Sequence, residues 1–112
     1  MKLMFVVLNQ VELLDPLLES FMDKGIRGAT ILSSRGMARE LSQNEDYPDF
    51  GTLRFLFDPE RQENKTIFMV IDDDQVSTVK EAIEEVVGDL DAPDSVVFFT
   101  VPVADVGGIV KN

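Results

Sequence analysis

Apolar side chains along the chain follow the two spacings that distinguish strands from helices. Four runs rich in aliphatic, β-branched or aromatic residues predict strands, and they cover residues 2–8, 29–34, 66–71 and 95–101. Between the first two runs, and again between the last two, apolar residues recur every three or four positions, which predicts a helix in each interval. The pattern therefore predicts strand, helix and strand twice over.

The first predicted helix has a start signal and a stop signal. Asp15 suits the N-cap position and Pro16 the first helical position after it. Gly25 stands where a residue of left-handed conformation closes a helix. Between these signals lies an apolar stripe at helical spacing, formed by Leu17, Leu18, Phe21 and Met22.

Three consecutive aspartates at residues 72–74 open the second predicted helix, where the positive end of the helix dipole favours acidic groups. Their carboxylates could also hold Mg²⁺ or Ca²⁺, but helix capping explains them more simply, so we assign no metal site. Gly88 ends this helix. Its predicted buried face consists of Val76, Val79, Ala82, Ile83, Val86 and Val87.

The element order predicts a single α+β domain over residues 1–112. Two βαβ halves give the ferredoxin-like βαββαβ sandwich, with two helices on one face of an antiparallel sheet. A large, mostly polar loop at about residues 37–65 lies between strands 2 and 3. Within it, residues 52–57 read as an extra strand that could form a hairpin with residues 66–71. Loops of this length are usually functional or disordered.

The predicted strands are apolar on both faces. Leu3, Phe5 and Val7 alternate with three further apolar residues in the first strand, and the third and fourth strands repeat the pattern. Two helices can cover only one face, and soluble monomers rarely expose a large apolar patch. We therefore expect a second copy of the chain to cover the other face. The alternative is that the loop hairpin or the C-terminal tail folds back over it.

Composition excludes several classes of function. The chain has no Cys and no His, which removes disulfides, thiol nucleophiles, imidazole bases and the usual zinc ligands. A net charge of −11 disfavours binding to nucleic acids and to anionic membrane surfaces. Neither a signal peptide nor an apolar run of membrane-spanning length is recognisable, so we expect a cytoplasmic protein without direct membrane insertion.

The end of the second predicted strand carries the best candidate chemistry. Two hydroxyls, a guanidinium and a glycine could together cradle an anion, and they belong to Ser33, Ser34, Arg35 and Gly36. A strand end that enters a turn explains these residues equally well. Arg27, Arg35 and Arg39 are the clustered cations, with ordinary surface charge as the alternative. No catalytic constellation is recognisable, so we do not expect an enzyme.

Three blocks of sequence resemble the PII-type nitrogen-regulatory signalling proteins and their PII-like relatives. Residues 25–36 are similar to the second strand of that family and to the start of its large T-loop. Residues 73–76 and 81–83 resemble its second helix, and residues 99–103 resemble its last long strand. The order and spacing of the blocks carry the resemblance, since no single block is specific.

The resemblance implies a homotrimer in which clefts between subunits bind small effectors, often adenine nucleotides. It also implies that the T-loop contacts a partner enzyme or a membrane transporter. The residues it places around the cleft are Thr30, Gly36, Met37, Ala38, Met69, Val70, Gly88 and Asp89. We add the polar groups of Arg27, Ser33, Ser34 and Arg35 to this ligand site, and we assign partner contact to Arg39, Tyr47 and Phe50 of the loop.

The chain departs from the family in its phosphate-binding groups. The turn before the last strand is Gly- and Lys-rich in the family, but here it is acidic and has no Lys, and the family's paired arginines after that strand are missing. Acidic groups in the turn repel a triphosphate. Two functions therefore stay open. One is a sensor of a nucleotide, a cyclic dinucleotide or another small anion, and the other is an interaction module that has kept the trimer and lost the ligand.

Overall fold

The computed structural model describes residues 1–42, 63–92 and 95–109. Its strands are β1 (Lys2–Leu8), β2 (Thr30–Ser34), β3 (Asn64–Ile71) and β4 (Val96–Pro102). Its helices are α1 (Leu14–Asp23), α2 (Met37–Ser42) and α3 (Val76–Val87), and short 3₁₀ turns at Val11–Leu13 and Asp73–Gln75 lead into α1 and α3. None of the helices in these ranges is long and apolar enough to cross a membrane.

The four strands form one antiparallel sheet in the order β2-β3-β1-β4. Strand β1 pairs with β3 and with β4 along all of its residues. Among the described strands, β2 pairs with β3 alone, in a ladder that begins where Thr30 lies opposite Phe68. The predicted α+β class and antiparallel sheet are confirmed, and this strand order is compatible with a small ferredoxin-like fold.

Helices α1 and α3 cover one face of the sheet, and the hydrophobic core lies between these layers. Strand β1 contributes Met4, Val6 and Leu8, all fully buried. The other members of the core are Leu17, Phe21, Ile26, Ile67, Met69, Ile71, Val79, Ala82, Ile83 and Val96. The predicted stripe of α3 is confirmed. In α1, Leu17 and Phe21 of the apolar stripe belong to the core, whereas Met22 is 58% exposed.

The opposite side of the sheet, which we call the open face, is also apolar. Residues directly opposite each other in antiparallel strands share a face, and the pairing register assigns to it Leu3, Phe5, Val7, Thr30, Leu32, Thr66, Phe68, Val70, Val97, Phe99 and Val101, with the polar Ser34 and Asn64 at one end. The predicted alternation is thus confirmed. No described residue covers β4 there, because Val97 is 58% and Phe99 48% exposed even though the tail is described as far as residue 109.

The predicted start of α1 was wrong, and its predicted end is confirmed. Asp15 is not the N-cap, because the 3₁₀ turn before it already continues into α1 and places Leu13 at that position. Gly25, with φ of 85°, closes α1 as predicted. Its N–H binds the Met22 carbonyl at 3.1 Å, and the Ile26 N–H binds the Phe21 carbonyl at 2.8 Å, which is the Schellman arrangement.

The start of α3 confirms the capping role of the aspartate run. Asp72 is the N-cap of the 3₁₀ turn that leads into the helix, and its N–H donates to Oε1 of Gln75 at 2.9 Å. The two side chains form a capping box, which satisfies donors that an uncapped helix leaves unpaired. At the other end, Gly88 adopts φ of 85° and ends the helix as predicted.

The long loop is shorter than predicted at both of its described ends. Residues 37–42 form α2 instead of loop, and β3 begins at Asn64, two residues before the predicted start. The polar side chain of Asn64 can lie in the strand because it bonds to Ser34 of β2 and to Asn9, which follows β1. The predicted extra strand at residues 52–57 lies outside the described residues.

Candidate functional site

A groove of about 680 Å³ lies where the sheet splits between β2 and β3. Strand β3 continues to pair with β1 as far as Ile71, but its ladder with β2 stops at Phe68. Residues 26–29 therefore run beside the end of β3 without pairing to it. The groove is lined by residues 25–30, by residues 68–72, by Gln75, by Met1 and by Ile109 of the tail.

The sequence around Gly25 explains why the chain leaves β3 at this point. The Schellman turn ends α1 and directs Ile26 into the core, where that side chain is only 4% exposed. The next three residues are exposed before β2 begins at Thr30. The buried side chain of Ile26 therefore keeps the loop close to the sheet, while the exposed residues 27–29 do not extend the β2–β3 ladder.

The charges of the groove are few. Arg27 is exposed on its wall, and no hydrogen bond or ion pair of this side chain is found within the described parts of the chain. Asp72 faces it from the end of β3, but it is part of the capping box of the helix that follows. Phe68 and Val70 add apolar surface that is shared with the open face. The N-terminal ammonium of Met1 also borders the groove, but it lies 3.2 Å from Oδ1 of Asp73. Among the described residues, the groove thus combines an apolar wall with Arg27, a cation without such a partner.

The structure separates the predicted ligand residues into three groups. Arg27, Thr30, Met69 and Val70 border the groove. Residues 33–38 lie at the far end of β2 and just after it, and Ser34 is about 13 Å along the strand from Thr30 at about 3.3 Å per residue. Gly88 and Asp89 follow α3, where the Asp89 carboxylate accepts the N–H of Asp91 at 3.0 Å. Within the chain, the first group lines a common groove.

At the far end of β2, the hydroxyls that we assigned to an anion have partners within the chain. Ser34 Oγ donates to Oδ1 of Asn64 and lies 2.7 Å from Oγ1 of Thr66. Asn64 is 8% exposed, and its Nδ2 donates to Oδ1 of Asn9 at 3.1 Å. Ser33 Oγ accepts a hydrogen bond from Lys65 Nζ at 2.8 Å. These bonds anchor β2 to β3 and β1.

The cations at that end are engaged as well. Arg35 forms an ion pair with Glu40, and the hydrogen bond between the two side chains raises the pKa of Arg35 above its ordinary value. Arg39, which we assigned to partner contact, is 7% exposed within α2. Met37 is 74% exposed. Tyr47 and Phe50 lie outside the described residues.

Several groove residues escaped the sequence reasoning, among them Phe68, Gln75 and Ile109. Phe68 was recognised as part of a two-sided strand, but its place beside the groove depends on where the β2–β3 ladder stops. Gln75 lies in a block that resembles the family's second helix, but the resemblance assigned it no part in the ligand site. Ile109 lies in a tail in which no element was predicted, and no local signal places it near β3.

Comparison with known proteins adds no assignment. Neither a model of a known protein family nor a curated protein matches the chain. No group of three or more acidic side chains that could hold a metal ion occurs in residues 1–42, 63–92 and 95–109.

Proposed function

We propose that the chain is a PII-like regulatory protein. In this proposal three copies assemble through the open face, a small effector binds in clefts at the subunit boundaries, and the segment between β2 and β3 contacts a partner protein. The observation that carries the proposal is the uncovered apolar side of the sheet, where Leu32, Val97 and Phe99 are about half exposed. Burial of such a surface stabilises an assembly in proportion to the apolar area removed from water.

The position of the groove supports a cleft between subunits. Thr30, Phe68 and Val70 line the groove and also belong to the open face. A second copy that packs on this face therefore reaches the rim of the groove and can provide its missing wall. Ligand pockets occur preferentially at such boundaries.

The charges favour an effector that carries little negative charge. Arg27 is the cationic side chain that borders the groove. The turn after α3 brings Asp89 and Asp91, and none of its described residues is basic. One guanidinium cannot neutralise the charge of a triphosphate. It is better matched to a nucleotide of lower charge, a cyclic dinucleotide or another small anion. The partner is an enzyme or a membrane transporter, as the family resemblance implies.

The experiment combines light scattering with a thermal-shift panel. We expect the mass of a trimer, and at least one mononucleotide or cyclic dinucleotide that raises the melting temperature. Arg27→Ala should abolish the shift, whereas Lys80→Ala, which removes an exposed cation of α3, should not. If the increase in melting temperature is lost with Arg35→Ala and kept with Arg27→Ala, the ligand binds at the far end of β2 and not in the groove. A monomer would refute the assembly and with it the cleft.

A specific observation favours the second candidate function, an interaction module without a ligand. The hydroxyls of Ser33 and Ser34 and the guanidinium of Arg35 already have intramolecular partners. A trimer that gives no shift with any member of the panel supports this candidate over the sensor.

A further inference from the structure

Two stretches of backbone face each other across the groove without bonding to each other. On one side, residues 69–71 of β3 extend beyond the last pair with β2 while they still pair with β1. On the other side, residues 27–29 run towards β2, and no backbone hydrogen bond joins them to residues 69–72, all of which are described. Main-chain N–H and C=O groups are strong hydrogen-bonding groups, and in this slot they are left to water or to a ligand.

We infer that the groove binds a short extended peptide segment that carries an acidic side chain and adds to the free edge of β3. The inference rests on the proposed use of this groove as a binding site and names the chemical class of its ligand. An added strand uses main-chain hydrogen bonds for affinity and side-chain contacts for specificity. The free edge of β3 spans three residues, or about 10 Å at about 3.3 Å per residue, which matches a segment of three to four residues.

The chemistry of the walls determines which peptide fits. Successive side chains of an extended peptide point to opposite sides. One set therefore meets the apolar surface of Phe68 and Val70, which suits β-branched or aromatic residues. The other set points to the opposite side of the sheet. Arg27, which is exposed on the wall of the groove, can offer its guanidinium to a carboxylate of the peptide at the rim.

The rest of the sheet does not offer an equivalent slot for this peptide. The outer edge of β2 is flanked by the polar network of Ser34 and by the ion pair of Arg35 with Glu40. The outer edge of β4 has unpaired backbone groups, but β4 itself contains no charged residue that could select a carboxylate. Only at the groove do a free strand edge, an apolar wall and an available cation coincide among the described residues.

The first test selects random octapeptides displayed on phage against the wild-type protein. The selected peptides are then synthesised with a fluorescent label and titrated by fluorescence polarisation. We expect an acidic residue among alternating apolar residues, and we expect Gly28→Leu to weaken binding at least tenfold by filling the groove. Gly107→Leu is the matched control, because an ideal Cβ meets no atom within 4 Å at either glycine.

Two further changes separate strand addition from ordinary apolar binding. Methylation of the peptide nitrogens at every second residue should weaken binding at least tenfold in one of the two registers and little in the other, because only one set of N–H groups faces β3. Arg27→Ala should weaken binding about tenfold, while Lys80→Ala should leave it unchanged.

The outcomes distinguish this inference from the proposed function. If no selected peptide loses affinity with Gly28→Leu, or if N-methylation in both registers has the same small effect, the peptide is not an added strand at the groove and the inference is wrong. A nucleotide shift that depends on Arg27 without any peptide binding overturns the inference and supports the sensor. Peptide binding that meets all three criteria supports the inference even if every nucleotide fails.

Discussion

The two faces of the sheet are built from the same strands and the same kinds of side chain, yet they differ in what covers them. In β1, the even-numbered residues Met4, Val6 and Leu8 are fully buried under α1 and α3. The residues that the structure describes leave the odd-numbered Leu3, Phe5 and Val7 only partly buried. Strand hydrophobicity therefore does not determine which face is the core, because the two helices decide it.

Aromatic residues have different surroundings on the open face and on the covered face. Phe5 stacks on Phe99 with ring centroids 5.0 Å apart and lies 6.1 Å from Phe68. On the covered face, Phe21 of α1 is packed among aliphatic side chains and is 2% exposed. The covered face is thus completed within the chain, whereas the open face is half of an interface in the proposed assembly.

The largest expected effect comes from a matched pair of phenylalanine truncations. Phe21→Ala removes a ring from the closed core and should lower the free energy of unfolding by about 3–5 kcal/mol at every protein concentration. Phe99→Ala removes a half-exposed ring and should cost about 1 kcal/mol at high dilution, mainly through the lost contact with Phe5. Urea denaturation over a hundredfold range of concentration measures both values.

The concentration dependence is the informative part of that pair. If copies of the chain associate through the open face, the cost of Phe99→Ala rises with protein concentration, because association stabilises the folded wild type by mass action. A cost of Phe99→Ala that stays the same at all protein concentrations would mean that the open face does not take part in association.

The second prediction tests the open face directly. Phe99→Glu places a carboxylate in the middle of the apolar patch, and burial of an unpaired charge opposes association. We expect the assembled wild type to become a folded monomer with an unchanged far-ultraviolet circular dichroism spectrum, as measured by sedimentation. Val106→Glu is the control, since Val106 is also exposed, at 39%, but lies in the tail outside the sheet. An assembly that survives Phe99→Glu must use another surface.

These contrasts also show how far sequence could predict the molecule. The four strands, the stripe of α3 and the cap at Gly25 follow from local periodicity and backbone preference, so they were predictable. The start of α1 was not, because a preceding 3₁₀ turn displaced Asp15 from the cap. The groove depends on where one ladder stops relative to another, a tertiary property that no local pattern encodes. That is why the sequence pointed to Arg27 and Thr30 but missed Ile109.

The third prediction concerns the turn that holds α1 on the covered face. Gly25 has φ of 85°, and an L-residue in the left-handed region costs about 1–2 kcal/mol. Gly25→Ala should therefore lower the free energy of unfolding by about 1 kcal/mol and loosen the loop of the groove. Gly107→Ala, at a glycine without positive φ, should have no destabilising effect. Hydrogen exchange at residues 26–29 would show whether the loop responds, and protection equal to that of the wild type would mean that the loop is held independently of the cap.

The smallest expected effect comes from the ion pair that joins the two covering helices. Lys24 Nζ lies 2.9 Å from Oε1 of Glu85, and Ser20 donates to the same carboxylate at 3.2 Å. The hydrogen bond with Lys24 lowers the pKa of Glu85 below its ordinary 4.5, and the same bond raises the pKa of Lys24 above its ordinary 10.5. Exposed pairs of this kind contribute little to the free energy of unfolding, so we expect a smaller effect from this interaction than from the changes above.

The sign of its pH dependence follows from these two shifts. A lowered carboxyl pKa stabilises the fold above the unfolded value near 4.5 and loses that contribution as the pH falls through the folded pKa. A raised ammonium pKa stabilises below about 10.5 and loses its contribution as the pH rises through the folded pKa. Glu85→Gln should therefore lower the melting temperature slightly at pH 7 and not at pH 2. Glu84→Gln, next to it on the helix and without a resolved ion pair, should show no such difference. If Glu85→Gln had the same effect at both pH values, packing rather than charge would join the two helices over the covered face.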